Sequence, residues 1–102
     1  MIKHVVMIKL SEIDNNEERN EMAIEILNRL DKLPELIKEI EGYDTGQNIK
    51  SSESANFQDL VLVSDFENIK EMEIYKNHPD HVKVVEFIKN VGGEFTSVDY
   101  EY

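Results

Sequence analysis

The chain has no cysteine, which excludes a disulfide frame, a thiolate zinc site and a thiol nucleophile. It has no apolar run approaching the roughly 18 residues that span a bilayer. Met1-Ile2-Lys3-His4 does not open as a signal peptide, so a soluble cytoplasmic chain is expected. Cations are scarce: 11 Lys and Arg face 22 Asp and Glu, a formal charge of −11. Such a surface argues against nucleic acid and anionic membranes as partners, because phosphate binding needs clustered cations that release counterions. Glycine and proline are sparse as well, with 4 and 2 copies, and no linker, repeat or low-complexity tract divides the 102 residues. One domain covering residues 1–102 is expected.

What is present reads as alternating strands and helices. Ile2 to Leu10 is rich in β-branched residues, and apolar side chains fall on both of its alternating sets, as in a central strand covered on both faces. Asp14-Asn15-Asn16-Glu17-Glu18 supplies a helix start. Met22, Ala23, Ile26, Leu27, Leu30 and Leu33 then share one helical stripe, with Ile24 off it. Pro34 disfavours α geometry at Leu33 and is expected to break or kink the helix there, with a short turn over Glu35 to Ile40. Tyr43 to Lys50 suits an edge strand, Ser51 to Asn56 a loop, and Phe57 to Phe66 a second strand with apolar groups on both faces. Glu67 to Asn77 reads as a helix that Pro79 interrupts. Beyond it His81, Val84, Val85, Ile88 and Val91 share one face of a further helix. Gly92-Gly93 ends that helix before a closing strand, Glu94 to Tyr102.

The order β-α-β-β-α-β predicts an α+β, ferredoxin-like fold, a four-stranded antiparallel sheet with both helices on one face. Right-handed crossovers give the strand order 4-1-3-2, which makes the first and third strands central. Those are the strands with apolar residues on both sides. Nothing in the chain remains to cover the second face of the sheet. A homodimer, sheet against sheet, is the expected partnership.

Chemistry-bearing residues cluster in Tyr75-Lys76-Asn77-His78-Pro79-Asp80-His81. One account brings a phenol and an imidazole to a pocket between sheet and helices. The plainer account has His78 terminating a helix and His81 packed in the core with its nitrogens hydrogen-bonded. His4 on the first strand and Asp99 on the last, paired strand make a second candidate set. An imidazole oriented by a carboxylate, with a tyrosine nearby, can act as a general acid and base near neutral pH. A zinc site of His4, His78 and His81 is disfavoured because the proline break separates the second and third ligands poorly. Phosphate-binding glycine loops, nucleophile elbows, His-Glu-x-x-His pairs and calcium-loop spacings do not occur, so no metal or other cofactor is expected.

Five segments together resemble the stress-responsive dimeric α/β-barrel (Dabb) family. They are Ile2 to Leu10, the Leu33-Pro34 break, Asp59 to Phe66, Tyr75 to His81 with its His-Pro-x-His core, and Val98-Asp99-Tyr100-Glu101. The resemblance implies a ferredoxin-like protomer whose sheet joins a partner's into a closed barrel. Most members of the family have no assigned activity beyond a link to stress, which implies a small-molecule-binding or stress-associated module. The family also holds a plant polyketide cyclase that performs a cofactor-free aldol cyclisation. By that likeness His81 would be the general base, Tyr75 the hydrogen-bonding partner of the substrate and Asp99 the orienter of His81, with His4 lining the same pocket; His78, from its place in the segment, is a further candidate for substrate binding. That cyclase has a further histidine in its third strand, where this chain has Leu60. A cofactor-independent enzyme of the cyclase or antibiotic-biosynthesis monooxygenase type is the alternative to a binding module. A third possibility is an interaction module acting only through its sheet face.

Overall fold

Strand β1, Ile2–Leu10, alternates between two environments: its even-numbered residues are buried and its odd-numbered ones half-buried or exposed. It sits between β3, Leu60–Phe66, and β4, Gly93–Glu101, and pairs with both in antiparallel register. Strand β2, Gly42–Gln47, pairs with the outer side of β3, so the sheet order is β2-β3-β1-β4. This is the expected ferredoxin-like α+β topology, with β1 and β3 central. The computed structural model describes residues 1–49 and 57–102. The expected loop over Ser51 to Asn56, and the Lys50 end of the second strand, lie outside the described residues.

Among the described residues, four helical segments pack on one face. Helix α1, Asn16–Leu30, starts where the Asn15 side chain accepts from the Glu18 amide at 3.0 Å, a capping bond that satisfies an otherwise unpaired donor. Its stripe buries Ala23, Ile26 and Leu30, while Ile24 faces solvent. Helix α2 is a single turn, Leu33–Leu36, with Pro34 in its first turn. The expected break is present, but Leu33 belongs to the new turn rather than ending the old helix. Pro34 is tolerated there because first-turn amides lack intrahelical acceptors. Helix α3, Ile69–Asn77, is capped by Asn68, and α4, Pro79–Asn90, by His78.

The third strand begins at Leu60 rather than Phe57 because Asp59 turns inward. Its carboxylate accepts from the Leu10 amide at 2.7 Å and pairs with the Arg19 guanidinium at 3.2 Å. Asp59 is buried, so this ion pair staples the end of β1 and the start of α1 to the entry of β3. Beyond the Val91 cap of α4 stands Gly92, whose φ of 85° is open to glycine and strained for other residues.

The apolar core lies between sheet and helices and is built from Ile2, Ile8, Leu10, Ile26, Leu33, Leu60, Phe66 and Ile88 among others. No helix of the described residues packs on the opposite face of the sheet. At its centre Val5, Met7, Val61, Val63 and Val98 stand on adjacent strands in register, and Met7, Val61 and Val98 are exposed hydrophobic residues. The Lys3–Asp65 ion pair, at 3.4 Å, flanks them.

Candidate functional site

Register places four polar side chains in one row across the helix-facing side of the sheet. Tyr43 on β2 lies opposite Ser64 on β3, Ser64 opposite His4 on β1, and His4 opposite Asp99 on β4. Directly opposed residues of antiparallel strands project to the same face, so the row is a consequence of pairing alone. His4 Nδ1 forms a very short hydrogen bond with the Asp99 carboxylate, which makes Nδ1 the protonated ring nitrogen and leaves Nε2 without a partner among the described residues. The other carboxylate oxygen of Asp99 receives the Lys76 ammonium at 3.1 Å. Burial by itself would raise the Asp99 carboxyl. The bonds and charges of His4 and Lys76 outweigh that and hold it below the usual carboxylate range.

His81 belongs to the same cluster. Its Nδ1 lies 2.9 Å from the backbone carbonyl of Lys76, so Nδ1 donates and Nε2 carries the lone pair in the neutral ring. Burial lowers its pKa, with the neighbouring charge of His4 acting in the same direction, while the bond to Lys76 opposes the shift. Lys76 therefore ties both imidazoles, through its ammonium to the partner of His4 and through its carbonyl to His81.

Tyr75 stands between the two rings, 4.3 Å from His81 and 6.1 Å from His4 by ring centroids, and 4.9 Å from Phe66. It is fully buried, and burial drives its phenol pKa far upward. Its hydroxyl has no hydrogen-bond partner among the described residues, as is also true of the Ser64 hydroxyl. Tyr43 donates to the Leu30 carbonyl at 2.8 Å and is held protonated chiefly by burial.

A cavity of about 310 Å³ opens between the β3-β1-β4 part of the sheet and α4. Its walls are Val6, Ile8, Leu30, Leu62, Val85, Ile88 and Phe95, with His4, His81, Lys76, Lys89 and Ser97 as polar members. Its size and its mix of apolar walls with few polar groups are those of small-molecule sites. Among the described residues no cluster of His, Asp or Glu converges to hold a metal ion. No helix among them is long and apolar enough to cross a membrane.

The expected site residues are thus partly brought together and partly separated. His4 and His81 share the cavity wall. Asp99 departs from its expected role, because its carboxylate is engaged by His4 and Lys76, while His81 is oriented by a backbone carbonyl. Cross-strand pairing is the reason: Asp99 faces His4 directly. Tyr75 packs behind the two imidazoles and is not part of the cavity wall. His78 is not in this site. Its ring accepts from the Asp80 amide at 3.2 Å, and it lies on a separate groove with Ile74 and Pro79. Lys89, Phe95 and Ser97 were not expected from the sequence, and Lys76 lies in the Tyr75 to His81 segment but was assigned no role there. For Lys89 a signal existed, since His81, Val85 and Lys89 fall at i, i+4 and i+8 along α4.

The stress responsive A/B barrel domain model matches residues 2–102, and the chain belongs to that family. Among solved structures it is similar to a dimeric protein of ferredoxin-like fold from Bacteroides fragilis, at 27% identity and a TM-score of 0.85, covering 99% of this chain and 95% of that one. A dimeric ferredoxin-like protein from Thermobifida fusca is 22% identical with a TM-score of 0.76, covering 99% and 90%. The hydroxynitrile lyase of Passiflora edulis shares the fold at 11% identity and a TM-score of 0.71, covering 97% and 90%. No curated protein matches the chain.

Proposed function

We propose that this Dabb-domain protein is a homodimer that binds a small, largely apolar molecule in the cavity between β1, β4 and α4. The observation that carries the reading is the cavity itself, about 310 Å³ of mostly aliphatic wall with the His4 and His81 imidazoles on it. Dimerisation is supported by the apolar patch on the uncovered sheet face and by the dimeric state of the Bacteroides and Thermobifida relatives. The test is a cavity-filling substitution. Val85→Trp should abolish binding of any compound that shifts the His4 and His81 ring signals in an NMR screen, with the fold retained. Compounds that bind the filled variant as tightly as the parent would show that the cavity is not the site.

A second reading has a specific observation in its favour. The Asp99-His4 pair holds one imidazole in a defined tautomer, and His81 offers an unprotonated nitrogen beside it. Two imidazoles of this kind on an apolar cavity can remove a proton from a carbonyl compound and return it elsewhere, the proton handling that a cofactor-independent aldol or lyase step requires. In that case His4→Ala should lower turnover by about a hundredfold or more while substrate affinity changes little. Equal losses of turnover and affinity would favour a binding role alone.

A further inference from the structure

The cavity has two chemically different ends. Helix α4 runs along it from His81 to Lys89, eight steps of the helix or about 12 Å. The sheet repeats this order, because α4 and β4 are consecutive and run in opposite senses. Phe95 on β4 pairs with Ile8 towards the Lys89 end, and Asp99 pairs with His4 at the His81 end. Val6 pairs with Ser97 between them. The middle is therefore mostly aliphatic, with the imidazoles at one end and a lysine at the other.

The two lysines on the wall differ. Lys76 is committed to Asp99. Lys89 has no ion pair or hydrogen bond from its side chain to any described residue, although the chain carries twice as many acidic as basic residues. Its position in the last turn of α4 suits the helix dipole, but that effect asks only for a cation near the helix end and not for one on a cavity wall. At the other end, both Nδ1 atoms are engaged by the protein. What remains for a ligand at His81 is Nε2, an acceptor in the neutral ring.

We propose that the site takes a two-ended molecule, with an anionic group such as a carboxylate at Lys89, an apolar spacer, and a hydroxyl or phenol donating to His81. The inference rests on the cavity being the binding site and adds the class of ligand. Lys89 acts as a specificity residue: it selects the charged end, and the aliphatic wall selects the spacer.

The test uses calorimetric titration of the 102-residue chain with three probes: para-hydroxyphenylpropionate, its methyl ester, and phenylpropionate without the hydroxyl. The hydroxy acid should bind most tightly. Lys89→Gln should weaken both acids about tenfold and leave the ester unchanged, the size expected for loss of one charge-assisted hydrogen bond. Lys89→Arg should retain binding of the acids, and circular dichroism should show each variant folded. His81→Leu should erase the advantage of the hydroxyl. If ester and acid bind alike, or Lys89→Gln binds the acid as well as the parent does, the anionic end is wrong while the cavity reading stands. If none of the three probes binds, the two-ended ligand is rejected, and the Val85→Trp screen then decides separately whether the cavity binds anything.

Discussion

His81 occupies a half-buried position where its ring packs on Tyr75 and its Nδ1 proton is held by a carbonyl. Desolvation favours the neutral ring, so the folded protein binds its proton less readily than the unfolded chain, whose histidine keeps the ordinary value of 6.5. The unfolded state therefore binds more protons as the pH falls below that value, and His81 costs stability on acidification. Thermal unfolding between about pH 8 and pH 5 should show the parent losing more stability than His81→Gln at matched pH. Parallel curves would mean that the ring titrates freely in the fold. Asp99 acts at lower pH: its carboxyl is held below the usual range, so its contribution is present above the unfolded value and lost only as the pH falls towards the folded one. Arg19 is the second residue with a sharp consequence. Removing it leaves the Asp59 carboxylate buried and short of its cation, so Arg19→Met should cost about 3 kcal/mol in chemical denaturation. A loss below about 1 kcal/mol would place the Asp59 contact to the Leu10 amide, rather than the ion pair, at the centre of that staple.

Between α3 and α4 the chain has a hinge made of one residue. His78 adopts an extended conformation, with φ of −64° and ψ of 135°, as the residue before a proline tends to do, and its ring caps the helix that Pro79 opens. A capping role predicts that His78→Asn keeps the melting temperature, that His78→Ala loses about 1 kcal/mol, and that neither alters ligand affinity in the cavity. An affinity loss in His78→Asn would return this residue to the binding site. At the far end of α4, Gly92 reverses the chain in a left-handed conformation beside Glu12, where an added Cβ would clash with the glutamate side chain. Gly92→Ala should destabilise the protein by about 1 kcal/mol or more, read by denaturant titration.

At the scale of the whole molecule, the proposed homodimer makes a prediction at the sheet face opposite the helices. Val61 sits near the middle of that face, opposite Met7 and Gly46 on its neighbouring strands. Sedimentation of the parent protein is expected to give twice the chain mass of 11.9 kDa. Val61→Glu should give the single-chain mass, because a charge buried without a partner costs several kcal/mol at an interface and little on a solvated sheet. A dimer that survives this substitution would place the contact elsewhere.

Strand and helix order, the central position of β1 and β3 and the unmatched second face were legible in the residue pattern, since period and burial are local properties. The α1 stripe and the break at Pro79 were legible for the same reason. The start of β3 was not, because Asp59 is drawn inward by Arg19, forty positions away in the chain. The pairing of Asp99 with His4 rather than His81 was settled by the register of β1 against β4. Lys89 became part of a cavity wall only when α4 was laid along that strand pair. Periodicity states which way a side chain faces within its own element. Which distant group it meets there depends on how strands align and helices dock, and that is a property of the folded chain as a whole.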